Sequence, residues 1–306
     1  MSYKFYESQL IIHPTDKIMI INNDEYILKR KLGQGLTSIV YSMIKKNDNR
    51  DDFKFPVLKL CTNKAFQKIY LNEKNILSTL KESSNYTKFS HHIAEIENVH
   101  VDGKYIQFKE CLNPIKTLKI NHVYDLIDCI AYLVDTNIIH RDVRPENIMV
   151  SYDEKYAKLI DFGFAFVSNV DDNDNDHTAA ADDDDDDKSS TTAIPIAGTI
   201  HFGLYNFLKT VRMIPRIFLV IEYKYEKWYD LACLLNSIVY HHNDHIKSTI
   251  VYIKTDLIQE KANRCLDIWA EIRKNEQYKK IFEMFESMNK NMDIIKLKNV
   301  LKLLFE

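Results

Sequence analysis

The stretch IIHRDVRPENIMV, residues 138–150, places Asp142 and Asn147 five positions apart on a polar turn between two apolar runs, with Arg141 and Arg144 beside the acid. Such a loop brings a carboxylate, a cation and a carboxamide close together, and the hydrophobic anchors on both sides hold it in place. A surface turn with a helix cap is the bland alternative. What separates the two is a second motif: fourteen residues beyond Asn147 stands Asp161, in KLIDFGFA (158–165). Any one of these triplets could arise by chance in a chain this long. Their order and spacing together rarely would.

The totals bound the answer. A chain of 306 residues with 45% hydrophobic content can bury one large core or two lobes, which excludes a small disulfide scaffold. The five cysteines, Cys61, Cys111, Cys129, Cys233 and Cys265, are odd in number and scattered. They form no CxxC pair of the kind zinc needs, so the expectation is reduced, mostly buried thiols. The N-terminus MSYKFYESQL is polar, and no apolar run approaches the roughly 20 residues of a membrane span. Neither secretion nor insertion is expected, and the location expected is intracellular, cytoplasmic or nuclear. No basic run interleaved with aromatics points to nucleic acid, and nothing points to a membrane partner. The net charge of −3 is unevenly placed: residues 168–192 hold ten Asp and one Lys, a local −9 that leaves +6 on the rest. That low-complexity stretch is too polar to pack and reads as a disordered acidic insertion inside a domain.

Around these features the hydrophobic pattern changes character along the chain. Residues 18–21 and 26–32 read as a hairpin across the turn NNDE, leading into GQG, and PVLKL (56–60) reads as a further strand. A helix follows over KAFQKIYLNEKNILSTL (64–80), where Phe66, Ile69, Tyr70, Ile76, Leu77 and Leu80 recur at helical spacing. Strand signals return in ENVHVDGKYIQFKEC (97–111), with a tight turn at Asp102-Gly103. After Asn113-Pro114 the pattern is helical: residues 122–136, a cluster at 228–240, IFEMFESM (281–288) and IIKLKNVLKLLFE (294–306). In the last of these, Ile294, Leu297, Leu301 and Leu304 share a face suited to packing on the rest of the lobe. A β-rich front with one main helix and a mostly helical back predicts an α+β, two-lobed molecule.

HRD, an Asn five residues past its Asp, and DFG together resemble the catalytic loop and metal-binding motif of the eukaryotic protein kinase superfamily. The resemblance covers roughly residues 26–300 and implies the bilobal protein kinase-like fold. Residues 1–25 would be a β-rich N-terminal extension and 26–306 the kinase domain, with an N-lobe at 26–110, a hinge at about 108–114 and a C-lobe at 115–306. Phosphoryl transfer develops charge on the moving oxygens, so its site must hold cations and position an incoming hydroxyl. The resemblance makes Asp142 the residue that orients or accepts the hydroxyl proton, and Asn147 and Asp161 the ligands of Mg2+. Arg144 stands where many serine/threonine kinases have Lys, and its planar fork is not equivalent to a compact ammonium. In KLGQGLTSIVY, Gly33, Gly35 and Val40 match the glycine-rich loop that covers ATP, with Ser38 at the third glycine position. Lys59 matches the VAIK lysine of the α- and β-phosphates, and Glu73, chosen over Glu82, matches its helix partner. Val40, Val57 and Met149 fall where side chains sandwich adenine, while Phe108 and Cys111 fall at the gatekeeper and hinge. Leu77, His140 and Phe162 match apolar spine positions, and Asp230 matches the buried aspartate that fixes the catalytic-loop backbone.

Three departures qualify the match. Val57 replaces the usual small alanine and adds two methyl groups toward adenine. After Ala197-Gly198-Thr199, IHFGLYNFL lacks the Pro and Glu of the family's APE motif, which puts its anchoring salt bridge in doubt. The acidic insertion falls within the activation segment, stretching Asp161 to Gly198 over 37 positions and offering Ser189, Ser190, Thr191 and Thr192 by position. It reads as a tolerated lengthening of a surface loop, or as a strap that mimics a phosphate for Arg141 or blocks substrates. Thr199 after Gly198 resembles the serine/threonine class, and GTIHFGLYN with YDLACLL is faintly similar to the casein kinase 1 and vaccinia-related kinase group. The function implied is an ATP- and Mg2+-dependent serine/threonine protein kinase acting on a protein substrate. The alternative is a pseudokinase scaffold, and a small-molecule phosphotransferase is a minor third reading, disfavoured because those usually carry HGD. No oligomeric state is legible.

Overall fold

The computed structural model describes residues 18–46, 55–168, 194–214, 222–255, 257–287 and 293–306. In chain order the described elements begin with strands β1 (Ile18–Ile21), β2 (Asp24–Gln34), β3 (Ser38–Lys45) and β4 (Val57–Cys61), then helices α1 (Gln67–Glu82) and α2 (Tyr86–Phe89). Strands β5 (Ile96–Val99), β6 (Tyr105–Phe108) and β7 (Asn113–Pro114) lead to helix α3 (Ile120–Asp135). Short strands β8 (Ile138–Ile139), β9 (Ile148–Val150), β10 (Ala157–Leu159), β11 (Phe166–Val167) and β12 (Ile194–Pro195) follow. The rest is α4 (Tyr205–Met213), β13 (Glu222–Tyr223), α5 (Tyr229–His242), α6 (Asp244–Val251), α7 (Ile258–Ile272), α8 (Glu276–Ser287) and α9 (Ile294–Lys302). The acidic insertion beyond Ser168 lies outside the described residues, as do residues 1–17 and the hydroxyls at 189–192. The chain forms two compact units, Met1–Lys116 with Ile148–Gly163, and Thr117–Asn147 with Phe164–Glu306.

The first unit is built on an antiparallel sheet ordered β1-β2-β3-β4-β6-β5. Its register sets Gly33 opposite Val40, Val40 opposite Lys59 and Val57 opposite Phe108. Directly opposed residues share a face, so Val40, Val57 and Lys59 look the same way. The other face is closed by Met19, Ile21, Leu28, Met43, Leu58, Leu60 and Tyr105. On the Lys59 side, Cys61 and Ile106 pack with Tyr70 of α1, whose buried residues Tyr70, Glu73, Leu77 and Leu80 recur at helical spacing. Fully burying an apolar side chain of this size contributes roughly 1.5–3 kcal/mol, so this stripe fixes which face of α1 meets the sheet. The Asp102-Gly103 turn needs its glycine: φ is +67°, and a Cβ there would lie 2.5 Å from the Gln67 carbonyl oxygen. A second sheet, β10-β9-β7, completes the unit and sets Pro114 opposite Met149.

The second unit is helical. Helix α5 is buried at every position from Tyr229 to Val239, as a central helix is, with Asp230, Asn236 and Ser237 the polar residues among them. It contacts α3, which also contacts α9. Leu297 and Leu301 of α9 are fully buried, and Lys298 reaches Asp128 of α3 at 2.6 Å, so the C-terminal apolar face packs within its lobe. The hairpin at 18–34, the strand at 57–61 and the helix after it agree with the sequence reading, as do α3, α5, α8 and α9. Strand β3, which lies between the glycine-rich turn and the Lys59 strand, is an addition, as are helices α4, α6 and α7. The architecture is the bilobal α+β arrangement expected of the fold. None of the five cysteines is in a disulfide, and only Cys111 is not buried.

Candidate active site

In the first unit, three charged residues far apart in sequence meet. Lys59 Nζ lies 2.7 Å from Glu73 Oε2 and 2.8 Å from Asp161 Oδ1. Helix α1 delivers Glu73 one turn ahead of Leu77, and the glutamate, 1% exposed, also accepts the Phe162 backbone N–H at Oε1 (3.3 Å). Asn72, next to it, donates to the Gly163 carbonyl at 3.0 Å. Two successive residues of α1 thus hold the DFG backbone. Asp161 has φ +67°, a conformation that costs a non-glycine residue about 1–3 kcal/mol and is held here by its ion pair. Burial by itself would lower the Lys59 ammonium, but Asp161 and Glu73 outweigh it and keep the pKa well above the lysine range. Burial pushes the Glu73 carboxyl up, against the pull of Lys59 and the Phe162 amide. An ammonium and an amide both donate to it, which opposes that rise.

The neighbouring positions bear out the register argument. Val57 is 8% exposed and sits opposite Phe108, so its extra methyls are packed rather than solvated. Gly33 and Gly35 have open space around them: a Cβ at either would meet nothing within 4 Å. Val40, Met149 and Cys111 are half-buried, and the Cys111 thiol, raised by burial, donates to the Leu112 carbonyl at 3.7 Å. Glu82, the alternative to Glu73, is exposed.

In the second unit the catalytic loop is tied to α5. Asp230 accepts the backbone N–H groups of His140 (2.5 Å) and Arg141 (2.9 Å), and burial raises its pKa to about 7 despite these two donors. The Asp142 N–H donates to His140 Nδ1 at 3.2 Å. Asn147 donates to both the carbonyl (2.9 Å) and the Oδ2 (2.8 Å) of Asp142, which orients the carboxylate from five residues away. Arg144 Nε approaches the same Oδ2 at 3.2 Å, and its Nη1 lies 3.9 Å from Glu146. Asp142 is 4% and Asn147 4% exposed. A carboxylate so fixed can orient a hydroxyl and take its proton. The two expected metal ligands, Asn147 and Asp161, belong one to each unit.

The missing APE motif has a structural replacement that the sequence reading did not find. The Trp269 indole N–H donates to the His201 carbonyl at 2.7 Å, and the Asn236 amide donates to the carbonyls of Phe202 (3.0 Å) and Gly203 (3.4 Å). The Phe202 ring packs on Tyr240 and Trp269 with centroids 5.4 and 6.3 Å apart. Neutral hydrogen bonds from α5 and α7 therefore hold the end of the activation segment where the family has a salt bridge. Arg273, at the end of α7, pairs with Glu286 and stacks on Tyr205 and Phe282. Backbone carbonyls accept from any donor, so no residue pattern in IHFGLYNFL announces this anchor.

Comparison with known proteins agrees with this geometry. The family model described as "Protein kinase domain" matches residues 26–181, half of the 306-residue chain. An Aurora kinase of Candida glabrata is 26% identical over 160 residues, which cover 47% of this chain and 42% of that protein. The chain thus spans less than half the length of that relative. These comparisons do not show the similarity to the casein kinase 1 and vaccinia-related kinase group. Two sets of charged groups, each held by its own lobe, and a family match running through both motifs lead to one statement: the chain belongs to the protein kinase domain family.

Proposed function

We propose that the chain is an ATP-dependent serine/threonine protein kinase that transfers the γ-phosphate of Mg·ATP to a protein hydroxyl. The observation that carries this reading is the buried Lys59–Glu73–Asp161 cluster, because an ammonium held between two carboxylates has no structural need that an apolar core would not meet better. Lys59 would hold the α- and β-phosphates, and the space over Gly33 and Gly35 would admit phosphate close to the backbone. Val40, Val57 and Met149 would sandwich adenine beside Cys111, with Val57 narrowing that site. One carboxylate and one carboxamide, Asp161 and Asn147, suit Mg2+, which takes one or two protein ligands and completes its shell with substrate phosphates and water. Asn147 and Asp161 would hold the ion, which offsets phosphate charge when bound. Asp142, oriented by Asn147, would take the proton as the hydroxyl oxygen bonds to the γ-phosphorus and the bond to the β,γ-bridging oxygen breaks, releasing ADP. Arg144 would lend a cation beside that reaction.

Such chemistry belongs inside the cell, in cytoplasm or nucleus, and among the described residues no helix is long and apolar enough to cross a membrane. The domain limits we propose are 26–306, with the N-lobe to 110, the hinge at about 108–114 and the C-lobe from 115. A pseudokinase scaffold is the competing reading; it draws on Val57 and on the long acidic insertion, while the Trp269 and Asn236 anchor removes the missing APE from its support. Labelled transfer from Mg·ATP to a mixed protein substrate, followed by identification of the labelled amino acid, separates them. Phosphoserine or phosphothreonine is the expected product. Phosphotyrosine alone would overturn the hydroxyl class, and Mg·ATP binding without transfer would favour the scaffold.

A further inference from the structure

We infer that Tyr70 is a positioning residue whose hydroxyl latches the tip of the glycine-rich loop to α1, so that the seat of the loop over phosphate and the placement of Glu73 are coupled. The inference deepens the proposed function and rests on it. Tyr70 stands on the buried face of α1, three residues before Glu73, and is 0% exposed. Its ring packs with Cys61 and Ile106, and Lys59 Nζ lies 5.3 Å from the ring centroid. A phenylalanine would fill the same space and offer the same aromatic face to the ammonium. The hydroxyl is therefore the part that packing does not account for.

That oxygen sits where loop, strand and helix meet. Its single hydrogen is shared between the Leu60 carbonyl of β4 (3.0 Å) and the Thr37 carbonyl at the tip of the loop (3.1 Å). Burial pushes the phenol pKa well up, while Lys59 and a side-chain bond from Ser38 oppose the rise. The tip has further ties to Thr62, just beyond β4. The Thr62 N–H donates to the Thr37 carbonyl at 3.0 Å, and the Thr62 hydroxyl donates to the Leu36 carbonyl at 2.8 Å. Within the turn, the Gly35 N–H donates to the Ser38 carbonyl at 2.9 Å.

Two features separate this arrangement from plain core packing. The Thr37 carbonyl already accepts from Thr62, so its own hydrogen-bonding need is met without the tyrosine. Ser38 stands at the third glycine position, and its side chain gives the loop a group that Tyr70 can bond, where a glycine has none. On the helix side, the next turn of α1 carries the groups that hold the charged cluster. Asn72 donates to the Gly163 carbonyl, and Glu73 meets both Lys59 and the Phe162 amide. One helical turn therefore joins the loop tip to Glu73. A ligand that fixes the tip favours the placement of Glu73, and by linkage whatever fixes Glu73 favours the seated loop.

The test uses the full chain and compares wild type with Tyr70→Phe, which removes only the oxygen, and with Ser38→Ala, which acts from the loop side. Binding of Mg·AMP-PNP and of adenosine is measured by calorimetry. Amide hydrogen exchange of Gly35, Thr62 and residues 70–77 is followed with and without Mg·AMP-PNP. Both variants should bind Mg·AMP-PNP about fivefold more weakly, the scale of one ordinary hydrogen bond, and adenosine, which carries no phosphate, within about twofold of wild type. Mg·AMP-PNP should slow exchange at the loop and across α1 in the wild type, but at the loop alone in Tyr70→Phe. A tyrosine that only fills the core would lower the melting temperature and leave both affinities and the slowing of α1 exchange at wild-type values, and that result overturns the inference. If Tyr70→Phe does not fold, Ser38→Ala decides by the same readouts. If the wild type binds no Mg·AMP-PNP, the proposed function falls. The latch is then read from the unliganded chain, where faster Gly35 and Thr62 exchange in Tyr70→Phe supports it and wild-type exchange overturns it.

Discussion

Removing one partner of the Lys59–Glu73 pair should cost far more than removing both. Glu73 is 1% exposed, and Lys59→Met takes away the ammonium 2.7 Å from it, leaving a buried carboxylate with Asp161 as a like-charged neighbour. Breaking a buried pair in this way typically costs about 3–5 kcal/mol, and we expect about 3 because the Phe162 amide still donates to Glu73. Glu73→Leu leaves Lys59 with Asp161, whose side chain is 31% exposed, so the remaining pair is partly solvated and the cost should be about 2–3 kcal/mol. In Lys59→Met/Glu73→Leu no uncompensated charge remains in the pair, and the cost should fall to about 1 kcal/mol or less, a coupling of about 4 kcal/mol. Urea unfolding, with hydrogen exchange of β4 and α1 amides to read the first unit by itself, gives the three values. The pH dependence has a definite sign. Without Lys59, burial and Asp161 hold the Glu73 pKa above the ordinary 4.5, so its contribution is present below that value and is lost as pH rises through the raised one. The Lys59→Met deficit should therefore be smallest in acid and grow toward neutrality. Additive costs within about 0.5 kcal/mol, or a deficit independent of pH, would refute the argument.

Three further outcomes follow from the same geometry. Burial holds the Asp230 pKa at about 7 against an ordinary 3.8, so its stabilising contribution is complete below about pH 4 and declines as pH rises toward 7. At about 1.4 kcal/mol per pH unit, the stability of the wild type relative to Asp230→Asn should fall by about 2 kcal/mol between pH 5 and pH 7, read from urea midpoints. Trp269→Phe strands the His201 carbonyl and should cost about 2–3 kcal/mol, raising KM for a protein substrate while leaving KM for ATP unchanged in steady-state kinetics. Val57→Ala should lower KM for ATP if its methyls crowd adenine, at a stability cost of about 1–2 kcal/mol; calorimetric titration with ATP and a melting curve measure the two effects separately.

What could be read from the chain and what could not divides along physical lines. The places of Asp142, Asn147 and Asp161 were legible because two motifs set specific side chains at short, fixed spacing. Lys59 and Glu73 were legible at longer range because the strand and helix that carry them have clear apolar periods, and the choice of Glu73 over Glu82 follows from the buried face of α1. Strand β3 was missed because SIVYSMIK is half-buried over most of its length and shows no clean alternation. The anchor at Trp269 and Asn236 was missed for a different reason: it is made to backbone carbonyls, which leave no mark on the residues they belong to. The same holds for Tyr70. Its place on the apolar face of α1 was plain, but the two carbonyls that its hydroxyl meets come from segments whose proximity only the fold creates.

The most direct test of the central claim is a single-turnover measurement of labelled phosphate transfer from Mg·ATP to a protein substrate, comparing wild type with Asp142→Asn. Asparagine keeps the shape of the loop but cannot take the hydroxyl proton. The account predicts transfer by the wild type and a loss of about a hundredfold or more in the variant, with ATP binding unchanged. Equal transfer by both proteins, or none by a wild type that binds Mg·ATP through Lys59 and Asp161, would contradict it.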